Sequence, residues 1–298
     1  MKAGCWRNGL FGGIMTHETE PQAMEARAGW DICLEHLQAG YPGRVVLHDI
    51  SAQFPSGAIT AVLGESGCGK STLLRHLIGL SRPMAGKILY GGRDFFDLPQ
   101  AYFRRIRRRF GVLFQDGALL GSLTLAENVA LPLGEHTKLP AALLRETAMR
   151  TLELVGLRDF ADYYPHELSG GMRKRGGLAR AIVTEPPVLF CDEPTSGLDP
   201  INAAQMDQLL LDMKMLYPSM TLVVVTHDLA SVRRIADHVI LVREGGVGFA
   251  GTVEALEASE DAYLRRFMDR IPNSEQGLLT AQPVDTRVRS ALDEWLKR

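Results

Sequence analysis

The chain has 298 residues, 46% hydrophobic and 23% charged, with a formal net charge of −2. That composition is globular, leaves room for a substantial core, and gives no electrostatic reason to expect nucleic acid as a partner. No apolar run approaches the ~20 residues that span a bilayer. The N-terminus lacks an apolar core followed by a small-residue cleavage site, so no signal peptide is expected. The cysteines Cys5, Cys33, Cys68 and Cys191 are scattered, with no C-x-x-C pair and no metal spacing. A soluble, intracellular chain in a reducing compartment is expected.

Residues 1–28 are irregular and glycine-rich, and read as a poorly ordered extension in which Met15 and Met24 are alternative starts. From Trp30 the pattern turns to β, with Ile32 and Leu34 alternating, a turn at Tyr41-Pro42-Gly43 and a second strand from Val45. The apolar run Ile59–Leu63 then leads into Gly64-Glu65-Ser66-Gly67-Cys68-Gly69-Lys70-Ser71, followed from Thr72 by residues at helical spacing. This matches G-x-x-x-x-G-K-[ST] in the strand–loop–helix context that a phosphate-binding P-loop requires. Its glycines let successive N–H groups point at one phosphate chain, beside the positive end of a helix dipole. Lys70 is expected to reach the β- and γ-phosphates of ATP, and Ser71 to offer its hydroxyl to Mg²⁺.

Lys87–Tyr90 is a short strand, and the basic tract Arg104–Arg109 reads as a solvated helix face beside an acidic neighbour. The strand Phe110–Phe114 ends at Gln115, and residues from about 116 to 180 read as mostly helical. Leu168-Ser169-Gly170-Gly171-Met172 precedes a helical run from Arg173; locally this is either an ordinary N-cap or a second anion site. Gly176 and Gly177 inside that helix cost about 1 kcal/mol each relative to alanine. Val188–Cys191 and Thr221–Val225 are continuous apolar runs, as in parallel strands buried on both faces, and their alternation with helices argues an α/β core. The first of these runs ends in Asp192-Glu193, and buried carboxylates at a strand end suggest a cation site. Beside a P-loop, Asp192 is expected to hold Mg²⁺ and Glu193 to act as general base on the attacking water. From Thr252 a helix is expected through Phe267, then a break at Pro272-Asn273 and a final amphipathic piece from Asp285 to Arg298.

The P-loop, Gln115, Leu168–Met172, Asp192-Glu193, Ser196-Gly197-Leu198-Asp199 and His227 stand in the order found in the ABC-transporter ATPases, which residues 30–250 resemble. The resemblance implies a P-loop (RecA-like) α/β core with an N-terminal antiparallel β subdomain and an inserted helical subdomain. It further implies an ATPase domain over 29–252 and a helical tail over 253–298. By the same resemblance Tyr41 stacks on adenine and Gln115 touches Mg²⁺ and water and faces a membrane partner. Ser169, Gly170, Gly171 and Met172 complete the ATP site of a second copy, Asp199 crosses the dimer interface, and His227 contacts the γ-phosphate. The motif departs from the commonest pattern at Met172, where glutamine is usual. Met172, Gly117–Leu120, Glu127–Ala130 and Glu135–Pro140 resemble the Mla-type branch, the phospholipid-transport ATPases related to toluene-tolerance and plastid lipid systems. That implies a homodimer peripheral to the cytoplasmic face of the inner membrane, separate permease subunits and a membrane-anchored lipid-binding subunit. The apolar edge Gly117–Leu120 with Leu123 is the expected permease dock, with Leu119 at its centre. A soluble ABC ATPase, or a transporter of amino acids, metal ions or lipoproteins, is the alternative.

Overall fold

A computed structural model describes residues 30–269 and 286–296; the expected N-terminal extension and the Pro272-Asn273 break lie outside these residues. The chain divides into two units, 1–256 and 257–298.

The first unit is built on one ten-stranded sheet. Its strands are β1 (Ile32–Tyr41), β2 (Arg44–Phe54), β3 (Ile59–Leu63), β4 (Ala85–Tyr90), β5 (Arg93–Asp94), β6 (Phe110–Leu113), β7 (Val188–Asp192), β8 (Thr221–Val225), β9 (His238–Arg243) and β10 (Gly246–Thr252). They run in the order β5-β4-β1-β2-β10-β9-β3-β8-β7-β6. One end is antiparallel, through the β1–β2, β1–β4 and β4–β5 pairs. The other end, β9-β3-β8-β7-β6, is parallel. The fold is therefore a P-loop α/β core carrying an antiparallel β portion, as expected.

The parallel strands are buried on both faces, and their period of two splits them between two cores. Val188 and Phe190 of β7 and Val223 and Val225 of β8 face a cluster shared with β1, β2, β4 and the helix α1 (Lys70–Leu77). Leu189, Cys191, Leu222 and Val224 face the opposite cluster. That second cluster is completed by α3 (Leu125–His136), α4 (Ala141–Leu154), α5 (Gly170–Ile182) and α6 (Pro200–Leu216). The basic tract falls on and just after α2 (Gln100–Arg107), in which Ile106 is the buried residue.

α3 starts with a capping box: the Thr124 hydroxyl accepts from Glu127 N–H, and the Glu127 carboxylate accepts from Thr124 N–H. Buried Asn128 on the same helix pins the preceding loop, accepting from Leu120 N–H at 2.7 Å and donating to the carbonyls of Leu120, Leu123 and Thr124. The two glycines inside α5 are close-approach positions. A Cβ on Gly177 would stand 2.7 Å from the Gly117 carbonyl, and one on Gly176 would stand 2.6 Å from Leu125 Cδ1. At Gly177 the helix-propensity cost is therefore offset by backbone packing that alanine would prevent, whereas at Gly176 the neighbours are the side chains of Leu125 and Leu119.

The apolar edge from Gly117 to Leu120 differs in exposure along its length. Leu119 is half-buried and packs against the second cluster, whereas Leu120 is 47% exposed. The expected helix from Thr252 to Phe267 is in fact two, α8 (Val253–Glu257) and α9 (Ala262–Met268). Asp261 starts the second by accepting from Tyr263 and Leu264 N–H, a local cap that competes with helix continuation. In the second unit, α9 is followed by α10 (Thr286–Leu296), where Val288, Leu292 and Trp295 recur at helical spacing.

Candidate ATP-binding and hydrolysis site

The site lies at the carboxyl ends of the parallel strands, where loops leave the sheet side by side. From β3 comes the P-loop. Gly67 has φ +82° and Gly69 φ +111°, both in the left-handed region, and a Cβ on Gly69 would stand 2.6 Å from Leu47 Cδ2. Only glycine takes this path without strain. α1 then begins at Lys70 with no side chain capping its first N–H groups, so these remain for an anion. The Lys70 ammonium is buried against the loop it follows, donating to the carbonyls of Gly64 at 2.7 Å and Glu65 at 3.0 Å. Ser71 is exposed, Thr72 is buried, and Cys68 is half-buried with its side chain on the core cluster.

From β7 and β8 come the carboxylates and a histidine. Asp192 pairs with Val225 across these strands, so the residues that follow them, Glu193 and His227, emerge together. His227 Nδ1 lies 3.0 Å from Glu193 Oε1 and 2.9 Å from Oε2. Hydrogen-bond geometry is met at Oε1, and Oε2 is buried without a hydrogen bond. Burial pushes the Asp192 carboxyl above its usual range and the neighbouring Glu193 charge adds to this, while Lys70 and Lys174 pull it back.

A cavity of about 440 Å³ is lined by most of these groups, though not by Gly64, Glu65, Cys68 or Asp192. Ser66, Gly67, Gly69, Lys70, Ser71 and Thr72 form one wall, and Gln115, Glu193 and His227 face them. Tyr41 joins from the β1–β2 turn. Arg44 and Val46 line the cavity without a role read from the sequence, and Ser196, read only as the start of the motif that ends at Asp199, lines it too. Arg44 pairs with Tyr41 across the hairpin, so a cation opposite the turn aromatic was the available signal.

Ser169, Gly170, Gly171, Met172 and Asp199 do not line this cavity. Ser169 caps α5, its hydroxyl accepting from Met172 N–H at 3.2 Å, which leaves the O–H proton for another acceptor. The Met172 side chain packs on the second core cluster, where an amide would lose its water. Asp199 caps α6, accepting from Ile201 N–H at 3.0 Å and Asn202 N–H at 3.1 Å, and the Asn202 side-chain amide also donates to it. That hydrogen bond from the Asn202 side chain, with backbone N–H groups after it, holds the Asp199 carboxyl below its usual range.

A family model described as ABC transporter matches residues 47–196. The intermembrane phospholipid transport system ATP-binding protein MlaF of Escherichia coli K12 is 42% identical over 228 residues, 76% of this chain and 84% of that one. The probable ribonucleotide transport ATP-binding protein mkl of Mycobacterium leprae is 42% identical over 241 residues, 81% of this chain and 69% of that one. The solved dimeric ATP-binding cassette MJ0796 bound to ADP and Pi is similar with TM-score 0.68 and 30% identity, over 74% of this chain and 98% of that one. With its phosphate loop, Glu193 and His227 gathered at one cleft, this chain belongs to the ABC transporter family and is one of its ATP-binding, ATP-hydrolysing members.

Proposed function

We propose that this chain is the ATP-hydrolysing subunit of a transporter that moves phospholipid between envelope membranes. One observation carries the catalytic part: a phosphate cradle and a histidine–glutamate pair share a cleft that Ser169–Met172 does not line. A site divided in this way is completed by a second copy, whose Ser169 hydroxyl and glycine N–H groups meet the γ-phosphate. Asp199 crosses between the two copies, and the similar MJ0796 cassette is dimeric. Within one copy Tyr41 stacks on adenine, the N–H groups from Gly64 to Thr72 bind phosphate oxygens, and Lys70 reaches the β- and γ-phosphates. Glu193 accepts the proton of the attacking water, and His227 contacts the γ-phosphate.

The donor set suits Mg²⁺, which takes one or two carboxylates and completes its shell with phosphate and water oxygens. Ser71, Gln115 and Asp192 would hold it; no cluster of three or more His, Cys, Asp or Glu offers a protein-only cage among the described residues. Bound there, the ion neutralises charge on the β- and γ-phosphates.

Among the described residues no helix is long and apolar enough to cross a membrane; the likeness to MlaF, an ATP-binding protein of a transport system, supports a membrane path formed by partner permease subunits. They dock by Gln115 and Leu120 at the cytoplasmic face of the inner membrane, together with a membrane-anchored lipid-binding subunit. The identity to MlaF supports phospholipid as cargo, and the equal identity to mkl supports a second reading, ribonucleotide. Purification of the complex from detergent-solubilised membranes tests both. Bound phospholipid and lipid-stimulated ATPase activity are expected, whereas stimulation by ribonucleotide alone would select the second reading.

A further inference from the structure

The basic side chains of Arg173, Lys174 and Arg175 in the first turns of α5 all reach backbone carbonyls. Arg173 donates to Leu168 at 2.6 Å and Arg175 to Val155 at 3.1 Å. Lys174 is the most deeply buried of the three, 5% exposed, and its ammonium donates to the carbonyls of Glu193 at 2.9 Å and Ser196 at 2.5 Å. A lysine is seldom buried unless its charge has partners. Two carbonyls answer part of that need; burial still pulls the ammonium below its usual range, and the carboxylates of Asp116, Glu193 and Asp192 offset only part of that.

Glu193 needs such a fixture. Its φ is +48°, in the left-handed region that a residue other than glycine rarely occupies. A conformation of this kind persists only where the surroundings over-determine it. Here the Glu193 N–H is held by the Val225 carbonyl at 2.8 Å, which ties the peptide to β8. The Glu193 carbonyl is held twice, by Ser196 N–H at 3.2 Å and by Lys174 from α5. With both ends of the residue fixed, its side chain reaches the cleft and His227.

We propose that Lys174 is a positioning residue for ATP hydrolysis. By gripping the Glu193 and Ser196 carbonyls it fixes the carboxylate that receives the proton of the attacking water. It also makes that position depend on the helix whose N-terminus carries Ser169–Met172. The inference rests on Glu193 as the general base.

The test uses the full chain with Lys174→Met, which keeps the bulk and removes the donors, and Lys174→Arg, which keeps charge and donors. Steady-state ATPase rates, ATP affinity and Tm are measured for each. For Lys174→Met kcat falls about 100-fold, as displacement of a reacting group by about an ångström does. KM and ATP affinity stay within about threefold, since the phosphate loop is untouched, and Lys174→Arg recovers most of the rate. In a Glu193→Gln background, Lys174→Met lowers the residual single-turnover rate no further.

Wild-type kcat in Lys174→Met overturns the proposal, as does an equal further loss in the Glu193→Gln background. If Lys174→Met does not fold, Lys174→Arg decides: a folded arginine variant with near wild-type kcat supports the proposal, and one that has lost the rate overturns it. Full turnover by Glu193→Gln alone would instead remove Glu193 as the base, which separates failure of that reading from failure of this one.

Discussion

His227 and Glu193 meet because Asp192 and Val225 are paired across β7 and β8, which brings the next residue of one strand beside the second residue past the other. The two differ in freedom: the His227 side chain is 64% exposed and that of Glu193 14%. The histidine is thus the member that can turn toward a phosphate, while the glutamate stays where its backbone puts it. His227→Ala should lower ATP turnover about 10²–10³-fold, the loss on removing one donor to developing charge. ATP affinity should change by less than fivefold, as tested by nucleotide titration.

Gly177→Ala gives a test by sign. In an ordinary helix interior the change would stabilise by about 1 kcal/mol. Here the new Cβ meets the Gly117 carbonyl at 2.7 Å, on the loop that carries Gln115, so a loss of about 1–3 kcal/mol is expected. Denaturant unfolding of the variant reads the sign directly.

The exposed and half-buried leucines of that loop should also separate. Leu120→Asp should leave Tm and ATP binding unchanged but abolish co-purification with membrane subunits. Leu119→Asp, which puts a charge against the second core cluster, should cost about 3 kcal/mol or more. Equal permease yield for Leu120→Asp and wild type would move the dock elsewhere.

A buried carboxylate outside the cleft lining supplies a pH dependence. Asp207 of α6 accepts from the Ser231 hydroxyl, and burial raises its carboxyl above the usual range despite that bond and the nearby Arg234. A raised value means the folded state holds its proton to higher pH than the unfolded chain, so stability falls as pH rises through that window. Asp207→Asn keeps an acceptor for Ser231 and removes the titration. Its Tm should match or exceed wild type at pH 8, and the difference should shrink toward pH 4.

The sequence showed most of the site because its chemistry is local. The P-loop spans eight consecutive residues, and Asp192-Glu193 closes an apolar run. The strands β3, β7 and β8 were legible because burial on both faces leaves an unbroken apolar signal. Arg44 was not, and Ser196 was visible only as a motif member, since their place in the cleft depends on strand pairing and on the turn after Glu193. Lys174 was hidden for the same reason: a basic run has one composition whether it meets water or carbonyls. Leu119 and Leu120 are equally apolar, and only the packing of α5 distinguishes them.

If this cleft hydrolyses ATP with Glu193 as base, between two copies of the chain, Glu193→Gln should alter both turnover and assembly. The amide keeps the shape and loses the basicity, so turnover should fall about 10²–10⁴-fold. ATP binding should be retained, and a dimer should appear on size exclusion only when ATP is present. Wild-type turnover in this variant, with no ATP-dependent change in size, would contradict this assignment.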